Sequence, residues 1–420
     1  MMYLKSGFCR KLATLILILV LIVPVFVACG DNEEETIINT LTATPTQTPT
    51  YDKTVTPTAT PTSESAGPVK IGAICAWSGP ISMAGGMADQ AIALVEDQVK
   101  QMGGILGGRE IKFIRGDDAG QVAQDAAQAK KLILDEKVAA LTLGGVTAPG
   151  ITATAEVAEQ YEVPFVGFAT IYGVDKMKYS ACLCGSEAML SRIANFLIDY
   201  LKPKTVAFLS YDAQDAHQVL DGEEGIVGVR DRLKNAGIDI VYEQYFPQDT
   251  QDFSSYLTKI KYLNPDVLVF RPNSEAQAIT VAKQIMELGG WGNIKVFGGT
   301  EGWTATRPFP GGLNTYTCVL WIPGSDDPGM KAFEDAWMAR NKSAPNPTYT
   351  YYYNCFWTVI KAMQLAGTDD PIKVANVLRS GNLEWDSAWG HLRIPPNGTG
   401  EVNTMVAQIV EGKKLVKVYP

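Results

Sequence analysis

Two successive open α/β lobes, each a parallel sheet flanked by helices, are what this sequence predicts. Three observations carry the prediction. Val69 to Ala119 reads strand, helix, strand, the unit from which parallel sheets are built. That alternation runs to Phe168 and restarts near Leu190. At 420 residues the chain exceeds one ordinary core, so two domains are expected.

The first strand is the β-branched apolar run Val69 to Ala73, ended by Ser78, Gly79 and Pro80. Ile92, Val95, Val99 and Met102 then recur at helical spacing. Gly103, Gly104, Gly107 and Gly108 stop that helix, and Ile111 to Ile114 is a second strand closed by Asp117 and Asp118. Gln121 to Asp135 is helical, with Asp118 as its cap; Val138 to Leu143 and Val163 to Phe168 are strands three and four. Pro149 sits in the first turn of the helix between them.

The second series has strands at Thr205–Tyr211, Ile238–Glu243, Asp266–Phe270 and Ile294–Phe297. Helices are expected at Leu190–Tyr200, Gly222–Asn235, Phe253–Leu263 and Glu275–Leu288. Beyond Gly298 come a strand at Thr315–Trp321, helices at Met330–Arg340 and Tyr351–Ala366, and a helix capped by Asp370-Pro371. Terminal strands fall at His391–Ile394, Thr404–Val410 and Leu415–Val418, the last two joined at Gly412-Lys413. No short-period repeat appears, which excludes solenoids.

Residues 1–28 read as a signal peptide. Lys5, Arg10 and Lys11 precede the apolar run Leu12 to Ala28, which is 17 residues long and holds Pro24. It is short for a stable membrane span. The run ends Phe26-Val27-Ala28-Cys29-Gly30 and resembles a bacterial lipobox, which implies cleavage and diacylation at Cys29. An uncleaved N-terminal anchor helix is the alternative. Either way the bulk of the chain is expected outside the cytoplasm and held at a membrane. Residues 29–67 contain TATPTQTPT and TVTPTATPT, a tether too poor in apolar surface to fold.

The formal charge is −9, and a chain starting at Cys29 carries about −12. That argues against nucleic acid, which needs basic patches. With two His residues in the whole chain, His217 and His391, a His-rich metal site is nearly excluded. Five Cys lie outside the leader and lipobox, Cys75, Cys182, Cys184, Cys318 and Cys355; an odd set cannot all pair, and most are read as small core residues. There is no G-x-S-x-G elbow, P-loop or zinc-protease motif. Gly103 to Gly108 follow a helix and precede a strand, the wrong context for a dinucleotide fingerprint. Asp117 and Asp118 are adjacent on a strand end, so turn and cap roles are expected. Glu223 and Glu224 are read as solvated helix residues. No enzyme, cofactor or metal is expected.

S-G-P, a helix, G-G-I-L-G-G-R-E-I and then D-D-A resemble, in wording and order, the opening of the branched-chain amino acid binding proteins. These Leu/Ile/Val-binding proteins are type I solute-binding proteins of ABC transporters, and the resemblance runs from about Val69 to Pro420. It implies the two-lobed type I periplasmic-binding-protein fold, with the chain crossing between lobes three times. On that analogy 68–185 plus 323–397 form lobe one, and 186–322 plus 398–420 form lobe two. The cleft between them takes the solute, and lobe closure is the working motion.

The resemblance also implies site residues. Glu301, in Gly299-Thr300-Glu301-Gly302, matches a glutamate that binds a ligand ammonium; a carboxylate in a dehydrated cleft needs a cation. Gly145 stands where the family has a Ser that holds the ligand carboxylate, and Thr147 is the expected substitute, with loop amides at a helix N-terminus. Ala169 and Thr170 keep the family's Ala-Thr, while Phe168 replaces a small residue. Asn273 and the run Met83-Ala84-Gly85-Gly86 stand where the family can have Tyr. Trp77 and Trp303 are candidate walls, with Tyr211 and Tyr349 to Tyr353 near them in the pattern; packing alone accounts for each aromatic taken singly. The expected protein is a monomeric, lipid-anchored binder that captures a small amino acid or related amide or acid and delivers it to an ABC permease. A ligand-sensing receptor component working with a separate signalling partner is the alternative.

Overall fold

The computed structural model describes residues 67–420 apart from 224 and 225. The signal peptide, Cys29 and all but the last residue of the 29–67 tether lie outside them, as does Glu224. Strands β1 (Val69–Cys75), β2 (Ile111–Asp117), β3 (Ala140–Leu143), β4 (Phe165–Gly167) and β5 (Ser180–Cys182) form one sheet in the order β2-β1-β3-β4-β5, every pair parallel. After β6 (Thr205–Tyr211) comes a small antiparallel pair, β7 (Gly222–Glu223) and β8 (Ile226–Val227). Next are β9 (Asp239–Phe246), β10 (Val267–Arg271), β11 (Lys295–Gly298) and β12 (Tyr316–Val319). A three-stranded antiparallel sheet joins β13 (Leu383–Ser387), β14 (Gly390–Ile394) and β15 (Glu401–Val402). The chain ends in β16 (Met405–Val410) and β17 (Lys414–Tyr419), which complete the second large sheet, β17-β16-β12-β11-β10-β6-β9. Its β9-to-β12 core is parallel and its last two strands are antiparallel.

Both large sheets are covered on both faces, so their central strands are apolar throughout rather than alternating. β1 is buried at all but one of its seven positions and β10 at all five. In lobe one, helices Met83–Gln101 and Thr348–Ala366 pack on one face, where Phe113 and Phe356 meet at 4.6 Å between ring centres. Trp357 Nε1 ties the two helices by donating to Gln98 Oε1 at 3.0 Å. Helices Val122–Leu134 and Ala148–Gln160 pack together on the opposite face, around Ile74, Leu132, Ile151 and Phe165.

Several elements differ from the sequence expectation. Lobe one has a fifth strand, β5. Gly222–Glu223 and Ile226–Val227 pair as antiparallel strands before helix Val229–Asn235, where one continuous helix was expected. Gly222 lies at φ +84°, and a Cβ on Gly228 would fall 2.4 Å from the Gly222 nitrogen, so the backbones cross too closely for a helix. β13 was not expected. Asp118 does not cap the helix from Val122; its Oδ1 accepts the Gly120 amide at 2.6 Å. Residues 398–402 stay with lobe one: Gly400 N donates to the Cys182 carbonyl at 2.7 Å and β15 pairs with β14, so the last return to the second sheet comes after Val402.

Cys75, Cys182, Cys318 and Cys355 are buried, Cys184 is half-buried, and all five are free thiols. Burial pushes Cys75 and Cys318 up to about 12. Thiolate is the reactive form. A thiol reagent should therefore label none of these five quickly in the native protein and all five in denaturant; rapid native labelling of any would contradict the packing described.

Candidate functional site

Strand order reverses beside β1 in the first sheet and beside β6 in the second. Crevices outside the carboxyl ends of strands at such points are where open α/β sheets bind ligands. In lobe one, the loop after β1 is pinned by Asp117, whose Oδ1 accepts the amides of Trp77, Ser78 and Ala119 at 2.9, 3.1 and 3.0 Å. Burial works to raise the Asp117 pKa, but these amides and the Ser78 hydroxyl outweigh it and hold the carboxyl below its ordinary range. Trp77 is half-buried; its Nε1 donates to Asp89 Oδ1 at 2.8 Å and the Arg115 guanidinium lies 5.8 Å from its ring centre.

The loop after β3 is shaped by a carboxyl. Gly145 sits at φ +96°, and a Cβ there would lie 2.5 Å from Asp125 Oδ1. A serine therefore has neither the backbone conformation nor the space. Gly145 N is committed to the Ile74 carbonyl at 3.0 Å. Thr147 is exposed, and its Oγ1 accepts the Gly150 amide at 3.4 Å, capping helix Ala148–Gln160. Asp125 is 2 % exposed and Asp118 1 %. Burial, then the hydrogen bond and charge of Asp118, push Asp125 well above the ordinary carboxylate range. This buried acid pair is absent from the sequence expectation.

After β4, Phe168 stands edge-on to Tyr351 and Tyr352, 6.0 Å from each ring centre. Ala169 and Thr170 follow, both half-buried. In lobe two, Glu301 opens the short 3-10 helix Glu301–Thr306 beyond β11. Its Oε1 accepts the Leu320 amide at 3.3 Å, while Oε2 is enclosed and has no hydrogen-bond partner. Burial raises its pKa to about 7; the Tyr351 hydroxyl and the Leu320 amide, which favour the charged form, offset part of the rise. A void of about 40 Å³ is lined by Glu301 together with Cys184, Tyr351, Cys318 and Leu320 among others.

Trp303 is not a cleft wall. It is fully buried in the lobe-two core, edge-on to Phe270, with Nε1 donating to Thr315 Oγ1 at 2.8 Å. Asn273 is exposed beyond β10, its amide donating to Gln277 Oε1 at 2.9 Å. One charged residue was missed. Arg271 ends β10, is 4 % exposed, and holds its guanidinium 5.3 Å from the Tyr211 ring centre. Its signal was a cation directly after the apolar run of β10. A cleft of about 1010 Å³ is lined by Thr170, Gln214, Gln218, Asn397 and Thr399 among others; of the expected ligand residues only Thr170 reaches it. Among the described residues no group of three or more His, Cys, Asp or Glu side chains could hold a metal ion, and no helix is long and apolar enough to cross a membrane.

Two outcomes follow from this geometry. Trp303→Ala should destabilise the protein by about 3–5 kcal/mol in denaturant unfolding, whereas a cleft wall would cost little. The folded state holds the Asp125 proton more tightly than the unfolded chain does. Stability is therefore lost as pH rises from the ordinary carboxylate range toward neutrality, at up to about 1.4 kcal/mol per pH unit. Asp125→Asn should flatten that slope in urea unfolding between pH 5 and 8; an unaltered slope would rule the assignment out.

Residues 68–414 match the family model described as periplasmic binding protein. A Leu/Ile/Val-binding protein homolog 7 of Brucella abortus is 22 % identical over 369 residues, covering 84 % of this chain and 91 % of that one. A solute binding protein of an ABC transporter from Rhodopseudomonas palustris BisB5, solved with 3,4-dihydroxybenzoic acid, superposes with a TM-score of 0.71 at 22 % identity over 83 % of this chain and 96 % of that one. A branched-chain amino acid transporter substrate binding protein from Streptococcus pneumoniae, solved with isoleucine, gives 0.68 at 19 % identity over 84 % and 100 %. These likenesses establish the two-lobed fold. The matching family binds solutes outside the cytoplasm and does not transform them. The chain belongs to the periplasmic binding protein family.

Proposed function

We propose that this protein is the solute-capturing component of an ABC transporter, tethered by a lipid at Cys29, and that its two lobes close on a small amine-bearing solute for delivery to a permease. The observation that carries the reading is Glu301: a carboxyl at the end of a lobe-two strand with one oxygen enclosed and unpartnered. An enclosed carboxylate of this kind is stabilised by a cation. A ligand ammonium against Oε2 supplies one, and Thr170, which lines the neighbouring cleft, is the candidate for a hydroxyl contact. Contact with both lobes makes the closed form the liganded one. The Leu/Ile/Val-binding names of the relatives support an amino acid or its amide.

A second reading is favoured by the rings of Phe168, Tyr351 and Tyr352 on the lobe-one side. Similar folds have been solved with benzoate and 4-hydroxybenzoate, so an aromatic acid is the competitor. Here a protonated Glu301 would donate to the ligand carboxylate.

One titration separates the two. An ammonium needs the ionised form of Glu301, so amine affinity should fall about tenfold from pH 8 to pH 6, across a pKa of about 7. An aromatic acid should bind more tightly over the same change. Calorimetry with L-leucine, L-leucinamide and 4-hydroxybenzoate reads both directions. Glu301→Gln should lose at least tenfold in amine affinity and the pH dependence with it. Amine binding that ignores both pH and Glu301→Gln would sink the clamp.

A further inference from the structure

The void at Glu301 and the large cleft are neighbours: Gly185 and Ala188 line both. These shared lining residues are two of the smallest side chains available, with the Thr399 methyl group packed against Gly185. The two spaces differ in kind. About 40 Å³ at Glu301 suits a small head group or a water or two. The cleft, at about 1010 Å³, is at the top of the roughly 300–1,000 Å³ range of small-molecule pockets. A free amino acid with its ammonium at Glu301 would leave most of that cleft to water.

The cleft lining is polar and comes from both lobes. Thr170 and Asn397 line it from lobe one and Gln214 and Ser191 from lobe two; Ser191 Oγ already accepts from Arg232 at 3.2 Å and Asn397 Oδ1 from the Thr399 amide at 3.0 Å, so the Asn397 NH₂ and the Gln214 amide are the groups a solute would meet. Closure takes such groups out of water, and each left without a partner costs about 1–3 kcal/mol. A solute rich in hydrogen-bonding groups removes that cost; a hydrocarbon one does not. The charges on the rim are Asp175, Glu187 and Glu401 against Lys176. Glu401 is taken by Arg393 at 3.0 Å and Asp175 lies beside the Arg379 guanidinium, which leaves Glu187 against Lys176 and no surplus cation among the lining residues. An anionic tail is therefore disfavoured.

We propose that the natural ligand is a linear, peptide-like amide longer than a free amino acid, its ammonium head at Glu301 and its uncharged amide body running past Gly185 and Ala188 into the cleft. This rests on the amine reading above and extends it to the rest of the molecule. Residues Thr170, Gln214 and Asn397 then read the body, while Glu301 reads the head.

The test is calorimetry at pH 8 with the protein and four probes: L-alaninamide, L-alanyl-L-alaninamide, L-alanyl-L-alanine and N-acetyl-L-alanyl-L-alaninamide. The extended amide should bind at least tenfold more tightly than L-alaninamide. L-Alanyl-L-alanine, with its carboxylate tail, should bind less tightly than the extended amide, and Gln214→Ala should shrink the gain from extension at least threefold. Equal or weaker binding of the extended amide, with L-alaninamide binding well, overturns the extended ligand and leaves the amine reading standing. Acetylated probe binding as tightly as the free amine overturns the head at Glu301, and this proposal with it. Failure of all four amides and peptides to bind overturns both.

Discussion

A parallel sheet with helices on both faces has one place left to meet a solute, the ends of its strands. That constraint organises the whole molecule. The apolar runs of β1, β6 and β10 are buried on both sides and carry no chemistry along their length. Five of the positions described above fall where a strand stops: Trp77 after β1, Gly145 after β3, Phe168 to Thr170 after β4, Arg271 ending β10, and Glu301 just past β11. Recognition in this fold is built from loop residues held by a rigid scaffold. The scaffold's contribution is to fix the loops, as Asp117 does with three amides for the Trp77 turn.

Charge is placed in this site against the cost of burial. Glu301 and Asp125 are both acids moved upward mainly by desolvation, and they differ in what surrounds them. Asp125 has another acid, Asp118, as its neighbour, and the pair is enclosed behind the Gly145 turn. It behaves as a structural group that holds a proton. Glu301 lines a void and has a tyrosine hydroxyl and an amide that favour ionisation. It sits near its midpoint at neutral pH, where a neighbouring cation or acid shifts it readily.

Much of this was legible in the sequence, for physical reasons. Strands buried on both faces leave continuous apolar runs, and amphipathic helices leave a 3.6-residue stripe, so the alternation and its restart stood out. The misses were short or unpatterned. β5 is three residues long, and β13, LEWDS, carries two acids that lie on its exposed side. Glu301 could be located because it follows a strand in a glycine-rich turn. Trp303 could not be assigned from its nearness to Glu301, because a 3-10 helix turns residues two apart to different sides. Asp125 lies twenty positions from Gly145 along the chain, and only the packing of helices Val122–Leu134 and Ala148–Gln160 brings them together. No local pattern reports such a contact.

The contact between Asp125 and the bare Cα of Gly145 also constrains how the loop after β3 can change over generations. A side chain at 145 meets the carboxyl, and shortening 125 alone opens a hole beside a buried acid. Either step taken first lowers stability, and a hydroxyl at 145 becomes tolerable only when 125 has shrunk and the turn has left its positive φ. The conformation of the loop after β3 is thus held in place by a pair of positions that must move together. Substitution meets no such barrier at Thr170, Gln214 or Asn397, which line open space.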